Sequence, residues 1–147
     1  MTEIRTMTAA DSGAVVEMMR TFYASPALIT NGSEAIFQSN VRECLAGSPF
    51  LKGFVLEKDG ETAGYGMVSF GFNTEFGRPC VWVEDLYLKP AFRGQGMGSA
   101  FLQFVRRSYP DALMRLEVER GNGRALRVYQ KNGMQELPYR EMISVPE

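Results

Sequence analysis

The chain has 147 residues, of which 45% are hydrophobic and 22% charged, with a formal net charge of −1. That suits one globular domain over residues 1–147, with a core large enough to need no disulfide or metal staple. So balanced a charge excludes nucleic-acid binding as the main task, because the phosphate contribution needs a concentrated basic face.

At the start, Met1-Thr2-Glu3-Ile4-Arg5 lacks the apolar core of a signal peptide, and no stretch approaches the ~20 apolar residues of a membrane span. Cys44 and Cys80 have no CxxC spacing and read as reduced, buried thiols. Together these features predict a soluble cytoplasmic protein with no membrane partner.

Glu3 to Met7 reads as a short first strand. Thr8-Ala-Ala-Asp11 has the form of a capping box, and Val15, Val16, Met18, Met19 and Phe22 continue it on a helical period to about Ala24, before Pro26. A second helix is predicted from Ser33 to Leu45, ended by Gly47-Ser48-Pro49. Strands follow at Phe50–Glu57, Glu61–Phe72 and Pro79–Leu88. Asp59-Gly60 supplies the first hairpin turn and residues 73–78 the second, so the three strands read as an antiparallel meander.

After the meander the pattern changes. Gly96 to Arg107 is helical, with Met97, Ala100, Phe101, Phe104 and Val105 on one stripe. Leu113 to Val118 alternates as a strand, and Gly123 to Lys131 is helical before Asn132-Gly133. Met134 to Val145 fits one or two short closing strands. The order indicates a mixed α/β sheet, a meander followed by βαβα.

The chain contains no histidine. Ser-His-Asp and Cys-His machinery and histidine-based zinc sites are therefore unavailable, so a general base has to be a carboxylate or a tuned Lys, Tyr or Cys. The segment Arg93-Gly94-Gln95-Gly96-Met97-Gly98-Ser99 lies between a strand end and a helix start. Free backbone amides and the positive end of a helix dipole converge there, and the glycines let a phosphate approach the chain. A Walker A loop would need a lysine after Gly98. A dinucleotide-binding fingerprint would need glycine where Ser99 stands. The pattern that survives is [RQ]-x-x-G-x-[GA], filled by Arg93, Gly96 and Gly98.

The run from Val83-Glu84-Asp85-Leu86-Tyr87-Leu88 through Arg93-Gly94-Gln95-Gly96-Met97-Gly98 resembles the strongest motif of the GNAT superfamily of acyl-CoA N-acyltransferases. Asn122-Gly123-Arg124-Ala125 through Tyr129 to Gly133-Met134 resembles a second segment of the same family. Gly64-Tyr65-Gly66-Met67 and Glu84-Asp85-Leu86-Tyr87 are similar to the diamine and thialysine acetyltransferases within it.

The resemblance implies a GNAT fold with a splayed central pair of strands. A slot for acetyl-CoA, the cosubstrate, would lie between Val81–Leu88 and Leu113–Val118, with no metal involved. Leu86, Tyr87 and Leu88 would line the cofactor arm. The amides from Arg93 to Ser99 would hold the pyrophosphate, Asn122 would touch the arm, and Arg124 or Lys131 would approach the ribose phosphate. Glu84 would act as general base, directly or through water, and Tyr129 as the acid for the departing thiolate. Asp85 should face away from Glu84 unless a bulge re-aims it. The expected product is an N-acetylated small amine, polyamine or amino-acid-like, formed by direct attack in a ternary complex. Protein lysine or N-terminal acetylation, and a non-catalytic acyl-CoA-binding role, are the alternatives. The resemblance also implies a homodimer. Phe22, Tyr23, Phe37, Phe72 and Phe76 with Glu34 and Glu75 read either as core aromatics or as a cradle for a cationic amine.

Overall fold

A computed structural model describes residues 1–146. The elements run β1 (Thr2–Thr6), α1 (Ser12–Tyr23), α2 (Glu34–Leu45), β2 (Leu51–Lys58), β3 (Glu61–Asn73), β4 (Arg78–Leu88), α3 (Met97–Ser108), β5 (Leu113–Leu116) and α4 (Gly123–Lys131). The predicted fold class holds, with boundaries moved by a residue or two at most ends.

Local chemistry sets the helix starts. The Asp11 carboxylate accepts the Thr8 backbone N–H at 2.8 Å, and a 3₁₀ turn over Ala9–Asp11 leads into α1. Both terminal nitrogens of Arg5 donate to the same carboxylate at 2.8 Å, which lowers its pKa to about 2 and ties β1 to the helix start. At α2, the Ser33 hydroxyl accepts the Ile36 N–H, the role expected of an N-cap serine.

The strands form one sheet in the order β1-β2-β3-β4-β5. The meander extends over four strands, since β1 pairs antiparallel with β2, and β5 then adds parallel to β4. Asp59 and Gly60 both have positive φ, 52° and 83°, as a two-residue hairpin requires.

Each face of the sheet has its own core. On one face, Val15, Val16, Met18, Met19, Phe37 and Val41 of α1 and α2 pack on Val55, Tyr65, Met67 and Tyr87. On the other, Met97, Phe101, Leu102 and Val105 of α3 pack on Phe54, Leu56, Val68, Val81 and Val83. Leu102 is therefore a deep α3 contact in place of Ala100 and Phe104, which are only partly buried.

Gly66 shows how close this second layer lies. A Cβ there would come within 2.3–2.9 Å of the Phe101 ring, which is fully buried. Gly66→Ala is expected to destabilise the fold by about 1–3 kcal/mol through overpacking. Chemical denaturation would show it as a lower midpoint with unchanged slope.

One expectation fails. Residues 134–146 form no strand among the described residues, and Met142, Ile143 and Val145 are 96%, 87% and 71% exposed. Their alternation favours a strand, but β-structure needs a hydrogen-bonded neighbour, and the segment lines the groove along β5 without forming a ladder with it. Among the described residues no helix is long and apolar enough to cross a membrane.

Candidate functional site

The central feature is a parting of β4 and β5. They pair from Cys80–Leu113 to Val83–Leu116, after which β5 ends and β4 runs on to Leu88 alone on that side. Lys89 donates its N–H to Ala63 of β3 at 2.8 Å. Antiparallel pairing alternates, so the amides of Leu86 and Leu88 point the other way, into the space β5 has vacated. The Leu88 carbonyl on that side accepts Arg93 Nε at 2.8 Å instead of a strand partner. A slot edged by unpaired backbone groups results, in the place expected for Leu86 and Leu88. Tyr87 is different. Its ring sits in the α1 core and its backbone alternates toward β3, so it shapes the wall and offers the slot no polar group.

Beyond the slot, Lys89 leads through a 3₁₀ turn over Pro90–Phe92 to α3, with Gly96 as its N-cap at φ 81°. Gly94 also has positive φ, 75°. Among the described residues, the amides of Gly94 through Ser99 donate to no backbone carbonyl, whereas the Arg93 amide is used by Pro90. Six donors at a helix N-terminus suit a phosphate ester. Arg93 itself lies over the Tyr87 ring at 5.5 Å, so its charge braces the slot floor from the side. The Gln95 side-chain oxygen accepts Lys58 Nζ from the β2–β3 hairpin.

The second sequence motif folds onto the first. Asn132 donates to the Ser99 hydroxyl at 2.9 Å, and a Cβ on Gly94 would lie 3.3 Å from Arg124 Nη2. Asn122 caps α4 by accepting the Ala125 N–H, which commits its oxygen and leaves its amide nitrogen for a ligand. Lys131 lies in the last turn of α4 and does not line the cleft. The cleft joining these parts has a volume of about 520 Å³ and is walled by Phe22, Leu86–Leu88, Gly96–Ser99, Asn122, Arg124 and Tyr129.

Tyr129 stands where this cleft meets a second groove of about 680 Å³ along β5. Burial raises its phenol pKa above the usual value, and its hydroxyl has no hydrogen-bond partner among the described residues. A protonated, uncommitted donor at the junction is chemically suited to a thiolate.

Glu84 and Asp85 do not divide between the two faces. The β3–β4 register runs Met67–Asp85 and then Val68–Val83, which makes Glu84 the extra residue of a β-bulge. Glu84 accepts the Ser69 hydroxyl, while Asp85 accepts Tyr65 Oη at 2.6 Å and Tyr23 Oη at 3.0 Å. Ser69 and Tyr65 lie an even number of residues apart on β3, so both carboxylates face the α1–α2 side. Glu84 is exposed, and Asp85 is 4% exposed. Burial raises the Asp85 pKa, against the lowering effect of the two phenols.

Of the aromatic set, Phe37 is core and Phe22 and Tyr23 pack against it, while Phe72 and Phe76 are exposed at the β3–β4 hairpin. Glu34 is bonded to Arg20, and Glu75 accepts the Tyr139 hydroxyl at 2.7 Å. No single cradle gathers them. Sequence reasoning missed Ser25, Pro26 and Ala27 after α1, which wall the cleft, and the Tyr23–Asp85–Tyr65 bonds. The carboxylate beside Glu84 was visible, but its partners are 20 and 62 residues away. Glu117 was missed too. It lines the β5 groove with Glu141, and that neighbouring carboxyl together with burial raises its pKa to about 7.

This fold and site define an acyltransferase-type domain, and residues 15–134 match the acetyltransferase (GNAT) family model. The chain belongs to that family. A thialysine N-epsilon-acetyltransferase of Bos taurus is 39% identical over 77 residues, covering 50% of this chain and 45% of that protein, so the match spans less than half of the relative. A possible acetyltransferase from Clostridium difficile 630 has a TM-score of 0.83 at 17% identity, covering 99% of this chain and 98% of that one. An aminoglycoside N-acetyltransferase in complex with a CoA-containing bisubstrate analogue has a TM-score of 0.80 at 18% identity, covering 100% and 99%. At such identities the two structures establish the fold alone.

Proposed function

We propose that this chain transfers the acetyl group of acetyl-CoA to a primary amine of a small molecule, polyamine or amino-acid-like, by direct attack in a ternary complex. The observation that carries the reading is the slot. Unpaired backbone amides of Leu86 and Leu88 lead into the amide-rich turn at Gly94–Ser99, and Tyr129 lines the same cleft. The relative named for thialysine acetylation supports an amine acceptor.

The chemistry follows from the groups present. An alkylamine has a pKa of about 10.4, so it reaches the site charged and has to lose a proton before it can attack. Glu84, exposed on the α1–α2 side, is the acceptor of that proton, directly or through water. As nitrogen attacks the thioester carbon, charge develops on the carbonyl oxygen, and the Leu88 N–H meets it as a preorganised donor. The C–S bond then breaks, the thiolate takes the proton of Tyr129, and the attacking nitrogen gives up its remaining extra proton, so that the phenol is restored through solvent. Amide and free thiol are the products, with no covalent acyl-enzyme.

The amides of Gly94–Ser99 bind the pyrophosphate in this scheme, with Asn122 and Arg124 on the cofactor arm. In this reading the protein is a cytoplasmic homodimer, and the open edge of β5 and the exposed apolar tail support the dimer. Sedimentation of the purified chain tests the dimer, and a single monomer peak at micromolar concentration removes it.

Thiol release from acetyl-CoA, measured with polyamines, lysine analogues, aminoglycosides and peptides, tests the activity. Turnover is expected with a small amine and not with peptides. Tight CoA binding without turnover of any amine would favour a non-catalytic role, and preference for peptides would move the reading to protein acetylation.

A further inference from the structure

Asp85 is a buried carboxylate that the proposed chemistry does not use. It lies one residue beyond Glu84, and both of its phenol partners come from elsewhere in the fold. Tyr65 on β3 is itself fully buried and donates at 2.6 Å. Tyr23 is the last residue of α1, is only partly buried, and donates at 3.0 Å to one carboxylate oxygen and 3.3 Å to the other. Each bond reaches a carboxylate in a dry setting, where charge-assisted hydrogen bonds are strong and a missing partner is costly.

The two tyrosines differ in what else they hold. Tyr65 stacks within the sheet core against Tyr87, with ring centres 6.2 Å apart. Tyr23 packs on Phe22 at 5.7 Å and on Phe37 of α2 at 5.2 Å. A Cβ on Gly32, at φ 65°, would lie 3.2 Å from its ring. The Tyr23 ring is therefore the point on which both ends of the α1–α2 connection rest. Phe22 in the last turn of α1 and Ser25, Pro26 and Ala27 at the start of that connection wall the cleft together with Leu86–Leu88. Ser25 fixes the turn by donating to the Phe22 carbonyl at 2.6 Å.

We infer that Tyr23, through its hydrogen bond to Asp85, is a positioning residue that pins the α1–α2 connection to the bulged strand and so sets which amines the site accepts. The inference rests on the acetyl-transfer reading above. The bulge delivers the anchor. By turning Asp85 to the α1–α2 face together with Glu84, it places the docking point for α1 beside the carboxylate that receives the amine. The phosphate-binding turn lies on another part of the chain and does not depend on this bond.

The test compares Tyr23→Phe with Tyr65→Phe, each of which removes one phenol from Asp85. Tyr23→Phe is expected to raise KM for the best amine at least fivefold and to narrow the kcat/KM difference between long and short amines. Its kcat and its acetyl-CoA dissociation constant should stay within twofold of wild type. Tyr65→Phe is expected to lower Tm with KM for the amine unchanged, because the Tyr65 ring meets Phe22 within α1, at 6.4 Å, and Tyr87, not the segment that follows Tyr23. Hydrogen exchange read by mass spectrometry should accelerate over residues 24–33 in Tyr23→Phe only. Unchanged KM and unchanged exchange in Tyr23→Phe would overturn the inference, as would KM changes in both variants that simply follow their loss of Tm. A wild-type chain that turns over no amine would overturn the acetyl-transfer reading instead, and the exchange comparison then decides whether Tyr23 pins the segment.

Discussion

Replacing Gly96 by Asp is expected to leave a folded protein that no longer binds acetyl-CoA. Gly96 is the N-cap of α3 with φ 81°, and a Cβ added there meets no atom within 4 Å. The folding cost is therefore that of the left-handed conformation, roughly 1–2 kcal/mol, and aspartate tolerates it better than most residues. An aspartate at an N-cap recovers part of that. The ligand meets a different balance. A carboxylate at ~4 Å from a phosphate charge costs about 4 kcal/mol at the effective dielectric of a protein surface. That corresponds to a loss of affinity of about a thousandfold. Gly96→Ala carries the same backbone strain without the charge and is expected to lose less than tenfold. Calorimetric titration with acetyl-CoA separates the two, with Tm as the check on folding. Affinity retained in Gly96→Asp would remove the pyrophosphate assignment from this turn.

Tyr129→Phe is expected to lower turnover well over tenfold with acetyl-CoA affinity changed less than twofold. The hydroxyl has no partner among the described residues, so its loss should cost little stability. In the proposed reaction it supplies the proton for the departing thiolate, an interaction made only as the C–S bond breaks, so the effect belongs in kcat. Burial raises its pKa. The protonated, donating form therefore persists to higher pH than a free phenol of pKa about 10 allows, and wild-type turnover should show no alkaline loss from this group below that pH. Single-turnover kinetics across pH measures both effects. A variant with wild-type turnover would rule out the acid role and leave Tyr129 as a packing residue at the junction of the two grooves.

The elements whose signal is local were legible in the chain. The capping box at Thr8–Asp11, the Asp59-Gly60 hairpin and the α3 core positions Met97, Phe101 and Val105 each depend on residues a few positions apart, where backbone geometry and apolar periodicity operate. Competing phosphate patterns could be excluded at Arg93–Gly98 for the same reason. A missing lysine or glycine is a fact about one position. The tail over residues 134–146 was misread because alternation states a preference for strand and says nothing about whether a partner edge lies within reach.

The Glu84–Asp85 pair marks the limit most clearly. Sequence supplied two adjacent carboxylates and the rule that neighbours on a strand face opposite ways. The tertiary structure broke that rule with one unpaired residue in the β3–β4 register, then fixed the outcome through Tyr65 and Tyr23, 20 and 62 residues distant in the chain. A bulge is a property of two strands, and a buried hydrogen bond is a property of two distant segments. By itself the sequence determined the family and offered the glycine-rich turn, with Glu84 and Tyr129, as the candidate site. Only the β3–β4 bulge and the packing of α1 on the sheet decided which of the two carboxylates stays exposed and which is enclosed between two tyrosines.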